Sequence, residues 1–110
     1  MMVLPPEPPP RLGLEALRQL GLDLGVLSVP SRLAILDLLC CQPQATTSEI
    51  GRAIKHLRLG LRQHLMCLEA RNLIVITLAG GHTVWKLTEK GYSAALLVRA
   101  LLDLEVPHAG

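Results

Sequence analysis

At 110 residues and 11.9 kDa the chain has room for one domain built on one core. Half of it is hydrophobic, 18% is charged and the mean hydropathy is +0.39, yet its aromatic residues are Trp85 and Tyr92 alone. That excludes the stacking platforms that bind single-stranded nucleic acid. The net charge is +2, but residues 31–90 carry eight Lys/Arg against four Asp/Glu while the flanks carry three against five. An anionic partner is therefore expected for the middle of the chain only.

The first ten residues contain Pro5-Pro6-Glu7-Pro8-Pro9-Pro10, which cannot be helical and has little to bury, so a disordered lead-in is expected over 1–10. It has neither a basic region nor a long apolar stretch, so no secretory signal is expected. No apolar run approaches the roughly 18 residues that a membrane span needs, and no membrane partner is expected. Three cysteines cannot all pair internally, which fits a reducing cytoplasm better than a disulfide scaffold.

From Arg11 a helix is predicted, with leucines at 12, 14, 17, 20 and 22 among Glu15, Arg18 and Gln19. Gly21 and Gly25 weaken its end, which is placed at 22–24. Ser28-Val29-Pro30 breaks the chain, and Ser31 is placed to cap a second helix through Cys41, with Leu33, Ile35, Leu36 and Leu39 inward and Pro43 beyond its end. Thr46 and Glu49 have capping-box spacing, Thr47 being an equally good cap, for a short helix to about His56 that buries Ile50, Ala53, Ile54 and Leu57. A further helix is predicted from about Arg58 to Arg71 with Leu61, Leu65 and Leu68 inward, and Asn72 falls where a left-handed residue is wanted. Ile74–Leu78 and Thr83–Leu87 flank Gly80-Gly81 as a β-hairpin. Thr88 caps a last helix to about Leu104, with Glu89 in its first turn and Gly91 serving close packing.

Short helices followed by a hairpin make a mostly α fold with a small β wing: a winged helix-turn-helix over a core of 31–91, in a single domain over 11–110 with extra terminal helices at 11–24 and 88–104. The segments SRLAILDLL (31–39), TTSEIGRAI (46–54), LRQHLMCLEARNLI (61–74) and WKLTEKG (85–91) resemble prokaryotic winged-helix repressors of the ArsR and MarR type. The resemblance implies a homodimeric transcriptional regulator, a repressor that occupies a pseudo-palindromic site on double-stranded DNA. The residues agree on physical grounds. With the leucines of the fourth helix inward, Leu59, Arg62, Gln63 and Met66 lie on its opposite side, and Arg62 suits guanine as Gln63 suits adenine. Arg58 lies at the leading end, where repressors of this kind make their first contacts. Thr47 and Ser48 at a helix start, Lys55 and His56 at the other end of that helix, and His82 and Lys86 on the wing are the expected contacts to the DNA backbone. Leu59 and Gly60 depart from the polar start usual for such a helix.

The ends predict self-association. From Tyr92 to Leu104 only Ser93, Arg99 and Asp103 are polar, so apolar residues surround that helix, and the 12–22 segment has a similar surplus. A two-fold dimer through Leu12, Leu17, Leu20, Leu96, Leu97, Leu101 and Leu104 is expected over collapse of both ends onto one core. Cys40, Cys41 and Cys67 have no chelating spacing, and His64 reads as a packed histidine rather than a ligand. No metal site and no cofactor is expected, and a small-molecule, metal or redox effector is left open. No phosphate loop, nucleophile elbow or carboxylate pair is present, so an enzyme is not expected. The competing reading keeps the fold but uses Leu59 and the apolar ends to bind another protein.

Overall fold

Seven elements follow in the expected order: α1 (Leu14–Leu27), α2 (Pro30–Cys41), α3 (Thr47–Ala53), α4 (Leu61–Ala70), β1 (Ile74–Ala79), β2 (His82–Leu87) and α5 (Glu89–Glu105). The structure is a computed structural model that describes residues 7–54 and 60–105. The expectations for Lys55, His56, Leu57, Arg58 and Leu59 lie outside the described residues, as do those for 1–6 and 106–110.

Several boundaries differ from the expected ones. α1 begins at Leu14 rather than Arg11 and runs through Gly21 and Gly25 to Leu27, because two glycines weaken a helix without stopping one that packs at its far end. Ser31 does not cap α2. Val29 holds the extended N-cap conformation and Pro30 takes the first helical position, where its missing N–H costs nothing. α3 buries Ile50 and Ile54, while Ala53 is exposed, contrary to the pattern. α4 starts at Leu61, preceded by Gly60 at φ 85°, a left-handed cap conformation that accounts for a glycine there.

Other local signals act as read. The capping box forms on Thr46 rather than Thr47: the Glu49 backbone N–H donates to Thr46 Oγ1 at 3.1 Å and the Thr46 N–H to Glu49 Oε1 at 2.9 Å. Thr46→Ala is expected to cost about 1 kcal/mol, read as a lower denaturant midpoint at unchanged slope. Asn72, at φ 58°, closes α4: its N–H reaches the Glu69 carbonyl and the Leu73 N–H reaches that of Leu68. The hairpin pairs Ile74 with Leu87 through Ala79 with His82, turning on Gly80 and Gly81, both at positive φ. Ala45 adds a short antiparallel bridge to Trp85, so the loop before α3 joins the wing sheet, a pairing no periodicity announced.

The core is aliphatic and centred on α2. Ile35, Leu36 and Leu39 meet Ile50 and Ile54 of the α3 segment, Leu65 and Leu68 of α4, Leu73, Ile74, Trp85 and Ala95. α5 turns an inverted face to this core: Gly91 and Ala95 are buried and Ala94 and Val98 partly so, while Leu96, Leu97, Leu101, Leu102 and Leu104 stay exposed. α1 has no buried residue at all, and only Val26 and Leu27 near its end pack partly on the core. Collapse of both ends onto one core is thus not what the described chain does. No single described helix is long and apolar enough to cross a membrane.

Candidate nucleic-acid interface

The two helices that form the turn are fixed from inside. Leu65 and Leu68 are buried, Leu61 is partly so, and the opposite edge of α4 presents Arg62, Gln63 and Met66 to solvent, Met66 at 53% exposure. Because the buried leucines already fix the helix, binding through this edge has to order its exposed side chains but not its backbone.

His64, beside this edge, is half-buried and accepts a 3.1 Å hydrogen bond at Nδ1 from Arg32 Nε, so its proton sits on Nε2. Burial first, and the Arg32 charge second, hold its pKa below the ordinary 6.5. The unfolded chain therefore binds the proton more readily. Stability is full above about pH 6.5 and falls as the pH drops through the lowered value. Denaturant midpoints measured against pH are expected to show this decline, and His64→Gln to flatten it.

Beside α4, the start of α3 and the wing are tied together. Trp85 Nε1 donates to Thr47 Oγ1 at 3.0 Å, and Ala45 and Trp85 exchange backbone hydrogen bonds of 3.1 and 2.7 Å. An open polar groove of about 510 Å³ runs along this joint, lined by Thr46, Thr47, Ser48, Glu49, Arg52, His82 and Thr83. A second crevice of about 410 Å³, between α4 and the wing, is lined by Thr47, Arg62, Leu65, Met66, Glu69, Ile76 and Trp85. Thr47 lines both, so the two grooves meet at this residue, with Ser48 and His82 on one side and Arg62 on the other. The Glu49 carboxylate in it is occupied by the capping box, whose hydrogen bonds to Thr46 hold its pKa low.

Of the expected contact residues, Thr47, Ser48, His82 and Arg62 are thus brought together. Gln63 is exposed one position round the α4 edge, its amide 3.9 Å from Cys67 Sγ. Lys86 is exposed in β2 and is among the lining residues of neither groove. Arg58, Lys55 and His56 lie outside the described residues. Arg52 and Thr83 belong to the polar groove and were not expected. Arg52 follows Ser48 by four residues, a same-face helical spacing that could have revealed it.

No protein-family model and no curated protein sequence matches the chain. Solved structures do. The homodimeric winged helix-turn-helix DNA-binding domain of Mb0332 from Mycobacterium bovis superposes with a TM-score of 0.71 at 23% identity, over 87% of this chain and 91% of that one. The transcriptional repressor BigR from Xylella fastidiosa gives 0.68 at 21% identity over 86% and 93%. The transcriptional regulator HlyU from Vibrio vulnificus gives 0.65 at 20% identity over 79% and 91%. The chain has the winged helix-turn-helix fold, with α3 and α4 as the helix-turn-helix and the β1–β2 hairpin as the wing.

Proposed function

We propose that this protein is a sequence-specific, homodimeric regulator of transcription that binds double-stranded DNA, and that it represses by occupying a pseudo-palindromic operator. The observation that carries the reading is the α4 edge. Arg62 and Gln63 are exposed on a helix whose other side is buried, and a polar groove edged by Thr47, Ser48 and His82 adjoins it. An exposed arginine and glutamine on such a helix can enter the major groove and reach guanine and adenine edges, while hydroxyls and N–H groups beside it take phosphates. That solved proteins of this fold include a repressor and a homodimeric DNA-binding domain supports both halves of the reading.

Pairing rests on the leucines. Leu24 and Leu27 of α1 share an apolar groove of about 330 Å³ with Leu33, Leu97, Leu101 and Leu102, and Leu17 and Leu20 of α1, Leu96 and Leu104 of α5, and Leu12 just before α1 are also exposed. A second copy covering them sets two reading helices about one DNA turn (~34 Å) apart.

Selection of bound sequences from random duplex DNA tests binding, palindromy and spacing together, and failure to enrich any sequence would overturn the proposal. Arg62→Ala is expected to cost about 1–3 kcal/mol and relax preference at one base, whereas Arg52→Ala, in the polar groove, is expected to weaken all sequences alike. Titration with salt is expected to give a slope of about −5 in log K against log salt if about six phosphates are neutralised per dimer. A flat response would instead favour an apolar protein interface.

A further inference from the structure

Val26 and Leu27 pack the far end of α1 partly on the core, and the rest of the helix is held to its protomer by polar contacts. Leu14, Leu17, Leu20, Leu22 and Leu24 are each 45% exposed or more, so they do not anchor it. Asp23 does. Its Oδ1 accepts from Arg71 Nε at 2.7 Å and from Lys90 Nζ at 3.0 Å. Arg71 also donates to Gln19 Oε1 at 3.0 Å, one helical turn before Asp23, and Lys90 Nζ donates to the Arg71 carbonyl at 2.9 Å. Arg71 is the C-cap of α4 and Lys90 lies in the first turn of α5, so three helices meet on one carboxylate. The Asp23 side chain is only 15% exposed. Burial raises its pKa, but the two cations more than offset this and keep it below the ordinary value, so the carboxylate is charged wherever the protein functions.

This junction links the helix that carries Leu17 and Leu20 to the end of the helix that carries Arg62 and Gln63. We infer that Asp23 is a positioning residue for DNA recognition: by clamping α1 to Arg71 and Lys90 it sets the angle between the pairing surface and the reading helix, and so the distance between the two reading helices of a dimer. The inference rests on the dimeric, DNA-reading function proposed above. A surface ion pair contributes little to stability by itself. A three-membered, partly buried junction between helices can instead specify geometry, as buried polar groups do when they fix register. Without it α1 can pivot about its contact at Val26 and Leu27, and the two reading edges no longer keep one spacing.

The test uses the full chain, the operator it selects from random duplexes, the same operator with its half-sites moved apart or together by one and two base pairs, and a single half-site. Asp23→Ala is expected to keep the dimer mass in light scattering and single half-site affinity within about twofold. On the selected operator it should lose at least about tenfold and bind the altered spacings equally well. The conservative Asp23→Glu, which keeps the carboxylate for Arg71 and Lys90, is expected to retain the spacing preference. An unchanged spacing profile in Asp23→Ala overturns the inference, as does an equal loss on every DNA including the single half-site. If Asp23→Ala fails to fold, Asp23→Asn read on the same series decides. Wild-type protein that is monomeric or enriches no sequence removes the function on which the inference rests. Wild-type protein that selects a spaced palindrome, with the variant showing the same preference, removes the inference alone.

Discussion

Replacing Gly91 with alanine is expected to destabilise the protein by at least about 3 kcal/mol, lowering Tm by roughly 12–24 °C for a domain of this size. A Cβ at Gly91 would lie 1.8 Å from the Leu73 carbonyl oxygen and 2.8 Å from its carbon, and that backbone cannot swing aside as a side chain can. The Leu73 carbonyl already accepts the Thr88 N–H at 3.1 Å, while Thr88 Oγ1 accepts the Gly91 N–H at 3.0 Å and donates to the Asn72 carbonyl. The end of the helix-turn-helix and the start of α5 are therefore joined backbone to backbone, and a methyl group forces them apart. Thermal melts at fixed protomer concentration check this, since a dimer's Tm depends on concentration. A variant that melts within a few degrees of wild type would mean that α5 does not enter the fold at this point. Gly21→Ala, whose Cβ meets nothing within 4 Å, is the contrasting control and is expected to gain about 0.5–1 kcal/mol.

Leu97→Glu combined with Leu101→Glu is expected to leave the protomer folded and abolish pairing. Both side chains are 53% exposed in the protomer, so a carboxylate at either position reaches water without opening the core. In the proposed dimer the same positions are covered. Each leucine removed forfeits about 1.5–3 kcal/mol of burial, and an unpaired carboxylate adds a desolvation cost. The dimer dissociation constant should rise at least about a thousandfold, equivalent to about 4 kcal/mol. Light scattering should then report the 11.9 kDa protomer at micromolar concentration. Operator affinity should fall with it, because the second half-site would no longer be bound by a tethered partner. A variant that remains a dimer would place the interface elsewhere and leave the exposed leucines of α1 and α5 without an explanation.

Much of the architecture could be read from local chemistry. The capping box at Thr46, the left-handed Asn72, the paired glycines of the hairpin and the leucine spacing of α4 each involve residues a few positions apart, and the energies that decide them are local. The same spacing marked Arg62 and Gln63 as outward, since a helix that buries Leu65 and Leu68 has no other place for them. Gly91 was recognisable as a packing glycine, although its partner, the Leu73 backbone, was not. Where competing local signals were close in energy the pattern misled. Pro30 displaced Ser31 from the cap role, and α1 continued past two glycines.

What linear order could not supply is which charges meet. Asp23 joins Arg71 and Lys90 across 48 and 67 positions, Arg32 reaches His64 across 32, and Trp85 reaches Thr47 across 38. Such partners are chosen by the crossing of helices and the placement of the wing, and those follow from packing the whole aliphatic core at once. From its sequence alone this chain has its helices, its hairpin and the outward edge of α4. Only the tertiary structure decided that Asp23 of α1 would join Arg71 and Lys90 and that Ala45 would pair with Trp85 of the wing. Helical and strand periodicities act over a few residues, whereas the meeting of distant side chains depends on every contact between them.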